Sequence, residues 1–333
     1  MSTTSAISIQ DEKFKSLGFS KAIVNQEQVN CYSRGLGTVS DKNPILVLIH
    51  GYPQSSYMWR HFIALLPEDT SIFVADLPGY GASAPVSRHD KLTVGSAVLS
   101  ALKTEVKRTS SRSPIDDIPI IIIGHDRGAR VAHRLAVSGM DGLDIRGVCL
   151  IDIVPTSTQW QNFSNPAKAA KDVTGYFHWP LLANVDLATR MISAFGPEKF
   201  LGEMVSAWSG QNQKGIEVFS ADDSMKVYGE FFAQEHTLKA SCEDYQHGAT
   251  TDIEIQEDDQ KAGRKIQIPL FLLYSKDYIG SRYDFPDVWR NWVGEGVDIQ
   301  HHALGDEIGH FGAEEAPEES ARVVGKWLKS LTA

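Results

Sequence analysis

The segment IIIGHDRGAR at residues 121–130 constrains the fold more than any other feature of this chain. An apolar run leads into Gly124, and Gly128 opens a stretch with helical spacing, which is the pattern of a Gly-x-nucleophile-x-Gly elbow. Such a strained strand-to-helix turn directs one side chain into the cleft above a sheet. Here that side chain is Asp126, whose carboxylate needs no proton removed before it attacks a saturated carbon and forms an ester. The alternative is that Asp126 only caps the following helix.

Short apolar runs alternate with longer stretches of helical spacing along most of the chain. Nearly continuous Ile, Val and Leu are typical of strands buried on both faces of a parallel sheet. The predicted strands are residues 45–49, 72–75, 118–123, 148–153, 269–274 and 297–303, with an antiparallel edge hairpin at 19–33. The predicted helices are residues 57–66, 93–107, 128–137, 284–292 and 316–331. This alternation predicts an α/β fold with right-handed crossovers.

The alternation stops after Pro155, which indicates an insertion. Residues 156–249 lack strong strand signals and carry aromatic residues in helix-like stretches. A chain of 333 residues is near the size limit of a single hydrophobic core, so an inserted segment accounts for the excess length. We therefore expect a core α/β domain at 1–155, a helical lid at 156–249 and the second part of the core at 250–333. The charged segment 252–264 is interpreted as a solvated return to the sheet.

Two further segments have the order expected of partners for Asp126. The loop HGYP at 50–53 follows an apolar strand, where hydrolases with this elbow place one amide of an oxyanion hole. The residue after the nucleophile supplies the other amide, so the candidates are the backbone N–H groups of Tyr52 and Arg127. His310 lies between the last strand and the final helix, which is the position of the histidine in the order nucleophile, acid, histidine.

The acid that would orient His310 has two candidates. Asp152 ends the apolar strand 148–153, and Asp277 follows the strand 269–274. Either carboxylate would orient the imidazole and stabilise its charged form. A helix cap or a surface turn is an equal alternative for Asp277, so the residues alone leave the choice open.

Charge and composition limit the class of partner. Acidic residues outnumber basic residues by 42 to 32, and the net charge of −10 argues against nucleic acid or an anionic membrane as the main partner. The three scattered cysteines form no disulfide or metal pattern, and no phosphate-cradling glycine loop occurs, so we expect no metal and no cofactor. Residues 1–10 lack the pattern of a signal peptide, and no apolar run is long enough to span a bilayer. We therefore expect a soluble, cytoplasmic protein.

Seven ordered motifs extend the argument beyond the elbow. They are HGYPQSSYMW at 50–59, ADLPGYGAS at 75–83, GHDRGARVAHRLA at 124–136, LIDIVPT at 150–156, FHW at 177–179, CEDYQHGA at 242–249 and GHFGAEEAPEES at 309–320. With these motifs the chain, from about Pro44 to Leu328, resembles the haloacetate dehalogenases, specifically the fluoroacetate dehalogenase group of the α/β-hydrolase superfamily. The resemblance implies an α/β-hydrolase fold, with a mostly parallel central sheet flanked by helices and a helical cap inserted after the sixth strand.

The resemblance also implies a reaction. Asp126 would displace halide from the carbon next to a carboxylate, and His310 would activate the water that hydrolyses the ester and releases a 2-hydroxy acid. The triad acid of this family follows the sixth strand, which matches Asp152. Asp277 stands where the group often has a small residue, and this departure leaves the acid assignment open.

Substrate and leaving group are assigned to further residues. Arg127 and Arg130 lie three residues apart at a helix start, so they can share one face and bind a substrate carboxylate by charge-assisted hydrogen bonds. They would also lower the pKa of Asp126. The alternative for both is a surface ion pair. The family's halide-binding residues correspond to three lid side chains that each carry an N–H or O–H donor, namely His178, Trp179 and Tyr245. Trp208 corresponds to a residue that lines the family's substrate pocket. Packing inside the lid is the alternative role for these aromatic side chains.

The residues and the resemblance lead to three candidate functions for this chain. The first is hydrolytic dehalogenation of a short, anionic 2-haloacid. The second is epoxide hydrolysis through the same Asp126 ester, with His178 and Tyr245 protonating the epoxide oxygen. The third is a non-catalytic ligand-binding protein, since a fold does not dictate a function. The family resemblance also suggests a homodimer.

Overall fold

The computed structural model of the chain describes residues 4–109, 117–165 and 169–332. Residues 1–3 of the N-terminal segment, residues 110–116, residues 166–168 of the expected lid and Ala333 lie outside the described residues. The strands are β1 Ser20–Val24, β2 Val29–Arg34, β3 Ile45–Ile49, β4 Ile72–Ala75, β5 Ile118–His125, β6 Leu143–Ile151, β7 Leu270–Ser275 and β8 Ile299–Leu304.

The strands form one sheet in the order β1-β2-β4-β3-β5-β6-β7-β8. The hairpin of β1 and β2 forms an antiparallel edge and pairs antiparallel with β4, and the remaining pairs are parallel. Every residue of the central strands β3, β4 and β5 is buried, because helices cover both faces and leave no position for an alternating polar pattern. The α/β-hydrolase fold and the edge hairpin predicted from the sequence are confirmed.

Helices flank this sheet and also form the long connection between β6 and β7. In the core they are α1 Ala6–Ser16, α2 Arg60–Ala64, α3 Lys91–Thr109 and α4 Arg127–Ser138. Between β6 and β7 the chain forms α5 Thr156–Asn162, α6 Ala169–Gly175, α7 His178–Ala183, α8 Val185–Phe195, α9 Pro197–Trp208, α10 Gln213–Ser220, α11 Ser224–Phe232, α12 Glu235–Gly248 and α13 Thr251–Ala262. The last helices are α14 Phe285–Arg290, α15 Gly312–Glu315 and α16 Pro317–Leu331.

The interpretation of residues 252–264 as a solvated return was wrong, because most of this segment is the helix α13. Its buried residues Asp252, Gln256 and Asp259 repeat every three to four positions, as expected of one helix face. Asp252 pairs with Lys91, and Asp259 pairs with Arg134. The helical period is therefore carried by polar side chains that form ion pairs and hydrogen bonds with the core.

The carboxyl ends of the parallel strands meet at one edge of the sheet, and the candidate site residues follow them directly. β3 leads into the loop 50–53, β5 into Asp126, β6 into Asp152, and β8 into the loop that carries His310. This edge is the usual place for a ligand in an open α/β sheet. Within residues 4–109, 117–165 and 169–332, no helix is both long and apolar enough to cross a membrane.

Candidate active site

The turn between β5 and α4 holds Asp126 at φ 47° and ψ −117°, a backbone conformation that residues other than glycine rarely adopt. A Cβ on Gly124 would come within 2.5 Å of the Gly128 carbonyl oxygen. A Cβ on Gly128 would overlap the carbonyl oxygens of Ile49 and His50. Both glycines are therefore required by the close approach of backbone, and the turn exposes the Asp126 carboxylate to the cleft.

Three side chains from different strand ends converge at this turn. His310 Nδ1 lies 2.6 Å from Asp152 Oδ2, and His310 Nε2 lies 3.8 Å from Asp126 Oδ1. All three side chains are buried. The imidazole thus lies between a carboxylate that orients it and the carboxylate at the elbow.

The structure brings one of the two acid candidates to His310. Asp152 Oδ1 accepts a hydrogen bond of 2.8 Å from the Ser275 backbone N–H, which fixes the carboxylate while its other oxygen contacts the imidazole. Asp277 lies exposed in the turn after β7, and His310 Nδ1 already has its partner. The geometry therefore favours Asp152 and argues against Asp277.

A backbone donor contacts the elbow carboxylate directly. The Tyr52 N–H donates a hydrogen bond of 2.9 Å to Asp126 Oδ2. The loop comes this close because residue 51 is glycine, and a Cβ there would lie 2.6 Å from Asp126 Cβ. The Arg127 N–H follows Asp126 in the first turn of α4, where amides have no intrahelical partner.

The electrostatics of the site keep Asp126 ionised. Burial alone would raise the pKa of Asp126, but the nearby charges of His310, Arg127 and Arg130 hold it below its ordinary value. Burial alone would lower the pKa of His310, but the hydrogen bond and charge of Asp152 raise it above its ordinary value. The site therefore combines an ionised carboxylate with an imidazole of increased basicity.

Arg127 has a buried counter-charge in Asp244. Its guanidinium donates to the Asp244 carboxylate from Nε at 2.8 Å and from Nη2 at 3.0 Å, and to the Asp244 carbonyl oxygen at 2.8 Å. The side chain is fully buried beneath the Tyr245 ring, with Cζ 4.2 Å from the ring centroid. Asp244 pairs with the charge of Arg127, while Nη1 of Arg127 is buried without a hydrogen-bond partner among the described residues, so the role of Arg127 toward the substrate carboxylate stays a prediction.

Arg130 lines the cavity beside Asp126 and has neutral hydrogen-bond partners. Its Nη1 donates to the Val154 carbonyl oxygen at 2.9 Å and to Thr156 Oγ1 at 3.1 Å. Its Nε is buried without a hydrogen-bond partner, and Arg130 forms no ion pair within the described part of the chain. Burial and the nearby Arg127 charge lower the pKa of Arg130 to about 10. The cavity therefore contains a buried cation without a paired carboxylate.

The four predicted lid residues line the same cavity. The Tyr245 ring centroid lies 5.7 Å from that of His178 and 5.8 Å from that of Trp179, and His178 lies 4.5 Å from Trp208. Burial lowers the pKa of His178 to about 3 and raises that of Tyr245 well above its ordinary value. Both side chains are therefore neutral near pH 7 and can donate an N–H or O–H to a leaving anion.

The cavity is small, and several of its residues were not identified from the sequence. It leaves about 20 Å³ for the centres of water molecules, a little more than one water needs. The unidentified lining residues are Gln159, Tyr176, Tyr278 and Ile279. No motif marks their positions, whereas Asp244 lies inside the motif CEDYQHGA and could have been considered as a partner for an arginine. In the described residues, no group of His, Cys, Asp and Glu has the arrangement of a metal site.

Comparison with known proteins supports the fold and the class of chemistry. Residues 46–323 match the model of the family described as "Alpha/beta hydrolase family". The chain is similar to a fluoroacetate dehalogenase from Burkholderia sp, with 26% identity over 315 residues that cover 93% of this chain and 94% of the relative. It is also similar to a soluble epoxide hydrolase from Corynebacterium sp. strain C12, with 28% identity over 299 residues that cover 88% of this chain and 93% of the relative.

A solved structure extends the likeness to three dimensions. A candidate alpha/beta hydrolase from Nostoc sp PCC 7120 superposes with a TM-score of 0.77 at 28% identity. The superposition covers 95% of this chain and 99% of the other. The likeness therefore extends over the inserted helices as well as the sheet.

Proposed function

The chain belongs to the alpha/beta hydrolase family, and from this premise we propose that it hydrolyses the carbon–halogen bond of a short 2-haloacid. The products are the 2-hydroxy acid and a halide ion. The similarity to a fluoroacetate dehalogenase over most of both chains agrees with this substrate class.

One observation carries the choice of an anionic substrate. Arg130 is buried in the same cavity as Asp126, and its hydrogen bonds go to the neutral oxygens of Val154 and Thr156. No carboxylate of the described residues contacts this guanidinium, and ester formation removes the nearby charge of Asp126, so a substrate carboxylate would supply a counter-charge through charge-assisted hydrogen bonds. The small volume of the cavity favours a substrate of few heavy atoms.

In the first chemical step, Asp126 displaces the halide. Asp126 Oδ2 accepts the Tyr52 N–H, so the attacking atom is Oδ1, which is nearer to the His310 side. Its electron pair forms a bond to C2 of the substrate as the carbon–halogen bond breaks and the halide leaves with the bonding pair. Tyr245, Trp179 and neutral His178 offer O–H and N–H donors to the developing anion.

In the second step, His310 takes a proton from water on Nε2, and the hydroxide attacks the ester carbonyl carbon of Asp126. The Tyr52 and Arg127 N–H groups stabilise the oxyanion that forms on Oδ2. Collapse of this intermediate breaks the bond between Cγ and Oδ1 of Asp126, and Oδ1 takes the proton from His310 and leaves as the hydroxyl oxygen of the product. The water oxygen stays on Asp126, whose new carboxyl group releases its proton to solvent. Asp152 stabilises the imidazolium between these transfers.

Epoxide hydrolysis is the second candidate function, and the similarity to a soluble epoxide hydrolase favours it. His178 and Tyr245 would then donate to the epoxide oxygen as Asp126 opens the ring. Arg130 argues against a neutral epoxide, because ester formation removes the charge of Asp126 and would then leave the guanidinium buried without a counter-charge. A non-catalytic role conflicts with the contacts of His310, whose two ring nitrogens lie beside two buried carboxylates.

An assay of three substrates distinguishes these functions. Purified protein is incubated with fluoroacetate, chloroacetate and a neutral epoxide, and halide and diol are measured. We expect halide from the haloacids; diol without halide would establish the second function, and neither product would support the third.

Two variants test the covalent route. Asp126→Asn should abolish halide release, because an amide is a poor nucleophile. His310→Asn should form the ester and fail to hydrolyse it, so the peptide with Asp126 should gain the mass of the substrate without its halogen, a carboxymethyl group for a haloacetate. The exposed His301 supplies the matched control, and His301→Asn should turn over normally. Absence of the added mass in an otherwise folded His310→Asn protein would contradict the role of His310.

A further inference from the structure

Gln159 on α5 is a buried side chain that the proposed mechanism does not yet use. It is 1% exposed and lines the cavity that contains Asp126 and Arg130. Its Nε2 is a buried donor without a hydrogen-bond partner among the described residues. An amide N–H₂ in this position is costly unless a ligand supplies an acceptor.

Gln159 and Arg130 lie on the same wall of the cavity. The Arg130 guanidinium donates to Thr156 Oγ1, which belongs to the first turn of α5. Residues three apart on a helix share one face, so Gln159 follows Thr156 on the side that meets Arg130. Arg130 Nε is also buried without a hydrogen-bond partner among the described residues, so two residues that line the cavity each carry an unused buried donor.

Arg127, the other arginine of the elbow, has one buried donor, Nη1, without a hydrogen-bond partner among the described residues, but its surroundings differ from those of Arg130. Two nitrogens of Arg127 bind the Asp244 carboxylate, and Arg127 does not line the cavity. An ionised carboxylate has about four acceptor sites on its two oxygens, so it can accept from a second donor beside the Arg130 guanidinium. The amide of Gln159 is a neutral donor on the same wall.

We propose that Gln159 and Arg130 together form the subsite for the carboxylate of the substrate, with Gln159 Nε2 donating to one oxygen and the Arg130 guanidinium to the other. This proposal rests on the proposed function for the identity of the substrate as a 2-haloacid. It makes Gln159 a determinant of substrate binding.

The test measures binding and turnover separately. Glycolate, the hydroxy acid expected from haloacetates, is titrated into the full-length protein, with the fluorescence of the cavity tryptophans Trp179 and Trp208 as the readout. Loss of one hydrogen bond to a charged group should weaken glycolate binding by Gln159→Met about 10- to 100-fold. The KM for chloroacetate should rise by a similar factor while kcat changes little.

A matched control separates binding from packing. Gln256 is also a buried glutamine that contacts α5, since its Oε1 accepts from the Ser157 N–H, but it does not line this cavity. Gln256→Met should therefore leave glycolate binding and KM unchanged. If Gln159→Met does not fold, Gln159→Glu preserves the shape and should abolish glycolate binding, because its carboxylate would neutralise Arg130 and repel an anion.

The outcomes distinguish this proposal from the proposed function. Absence of halide release by the wild type, together with glycolate binding that depends on Gln159, would refute the dehalogenase assignment and support the carboxylate subsite. Halide release with an unchanged KM in folded Gln159→Met would refute the subsite and leave the reaction intact. Wild type that fails to bind glycolate at millimolar concentration would also overturn the subsite.

Discussion

Asp244→Asn should destabilise the protein strongly, because it removes the counter-charge of a fully buried arginine. Arg127 is 0% exposed and Asp244 is 7% exposed, and their closest N–O distance is 2.8 Å. At an effective dielectric constant of about 20, two unit charges at this distance attract each other by about 6 kcal/mol. The desolvation of both groups offsets much of this attraction, but removal of one partner leaves the other charge buried, at a cost of about 3–5 kcal/mol. Asp244 also pairs with Lys91, so the upper part of that range applies.

Urea denaturation of four proteins measures this effect: the wild type, Asp244→Asn, Arg127→Met and the double variant. The free energy of unfolding of the double variant should exceed the additive expectation by about 2–3 kcal/mol, because neither charge then remains unpaired. The exposed pair of Lys214 and Glu318 is the matched control, since it also joins an inserted helix to a core helix. With side chains 77% and 75% exposed, its loss should cost less than about 1 kcal/mol. The reasoning would be refuted if Asp244→Asn were as stable as the wild type. If Arg127→Met then raised the KM without lowering stability, Arg127 would be supported as a substrate ligand.

Three further predictions concern activity. Arg130→Met should raise the KM for chloroacetate, measured by halide release, by at least about 10-fold with little loss of thermal stability. A parallel loss of thermal stability would instead favour a structural role for Arg130. Asp152→Asn should lower turnover by at least about 100-fold, whereas Asp277→Asn should not change it; equal effects would contradict the assignment of the acid. The hydrolysis step should slow as the pH falls through the pKa of His310, because only the neutral imidazole accepts a proton from water. Since that pKa is raised above its ordinary value, a single-turnover pH profile with a midpoint below about 6.5 would contradict the role of Asp152.

The central sheet could be predicted because strands buried on both faces are continuous apolar runs in the sequence, such as the five apolar residues of β3. Helices held by polar contacts leave no such trace. In α1, the buried Gln10 donates to Tyr32 Oη and to the Asp76 carboxylate, and these partners lie far away along the chain. The helix α13 was not predicted from the sequence for the same reason, since its buried face is made of Asp and Gln side chains.

The elbow and its histidine could be predicted because local backbone strain fixes the sequence around them. Gly124 and Gly128 are required because backbone atoms lie too close for a side chain, so the motif alone predicts the position of Asp126. The choice between Asp152 and Asp277 depends on which strand end reaches His310, and that is a property of the assembled sheet. Gln159 carries no motif, because its role depends on the cavity that α5 and the elbow form together.

Arg127 and Arg130 differ because they have different hydrogen-bond partners, which their spacing in the sequence does not predict. Asp244, which lies 117 positions after Arg127, neutralises one guanidinium, and the other has neutral contacts. In the proposed reaction, the charge of Arg130 balances the substrate carboxylate, and the negative charge of Asp126 leaves the protein with the halide when the ester forms. The halide then meets neutral donors, because burial keeps His178 uncharged near pH 7.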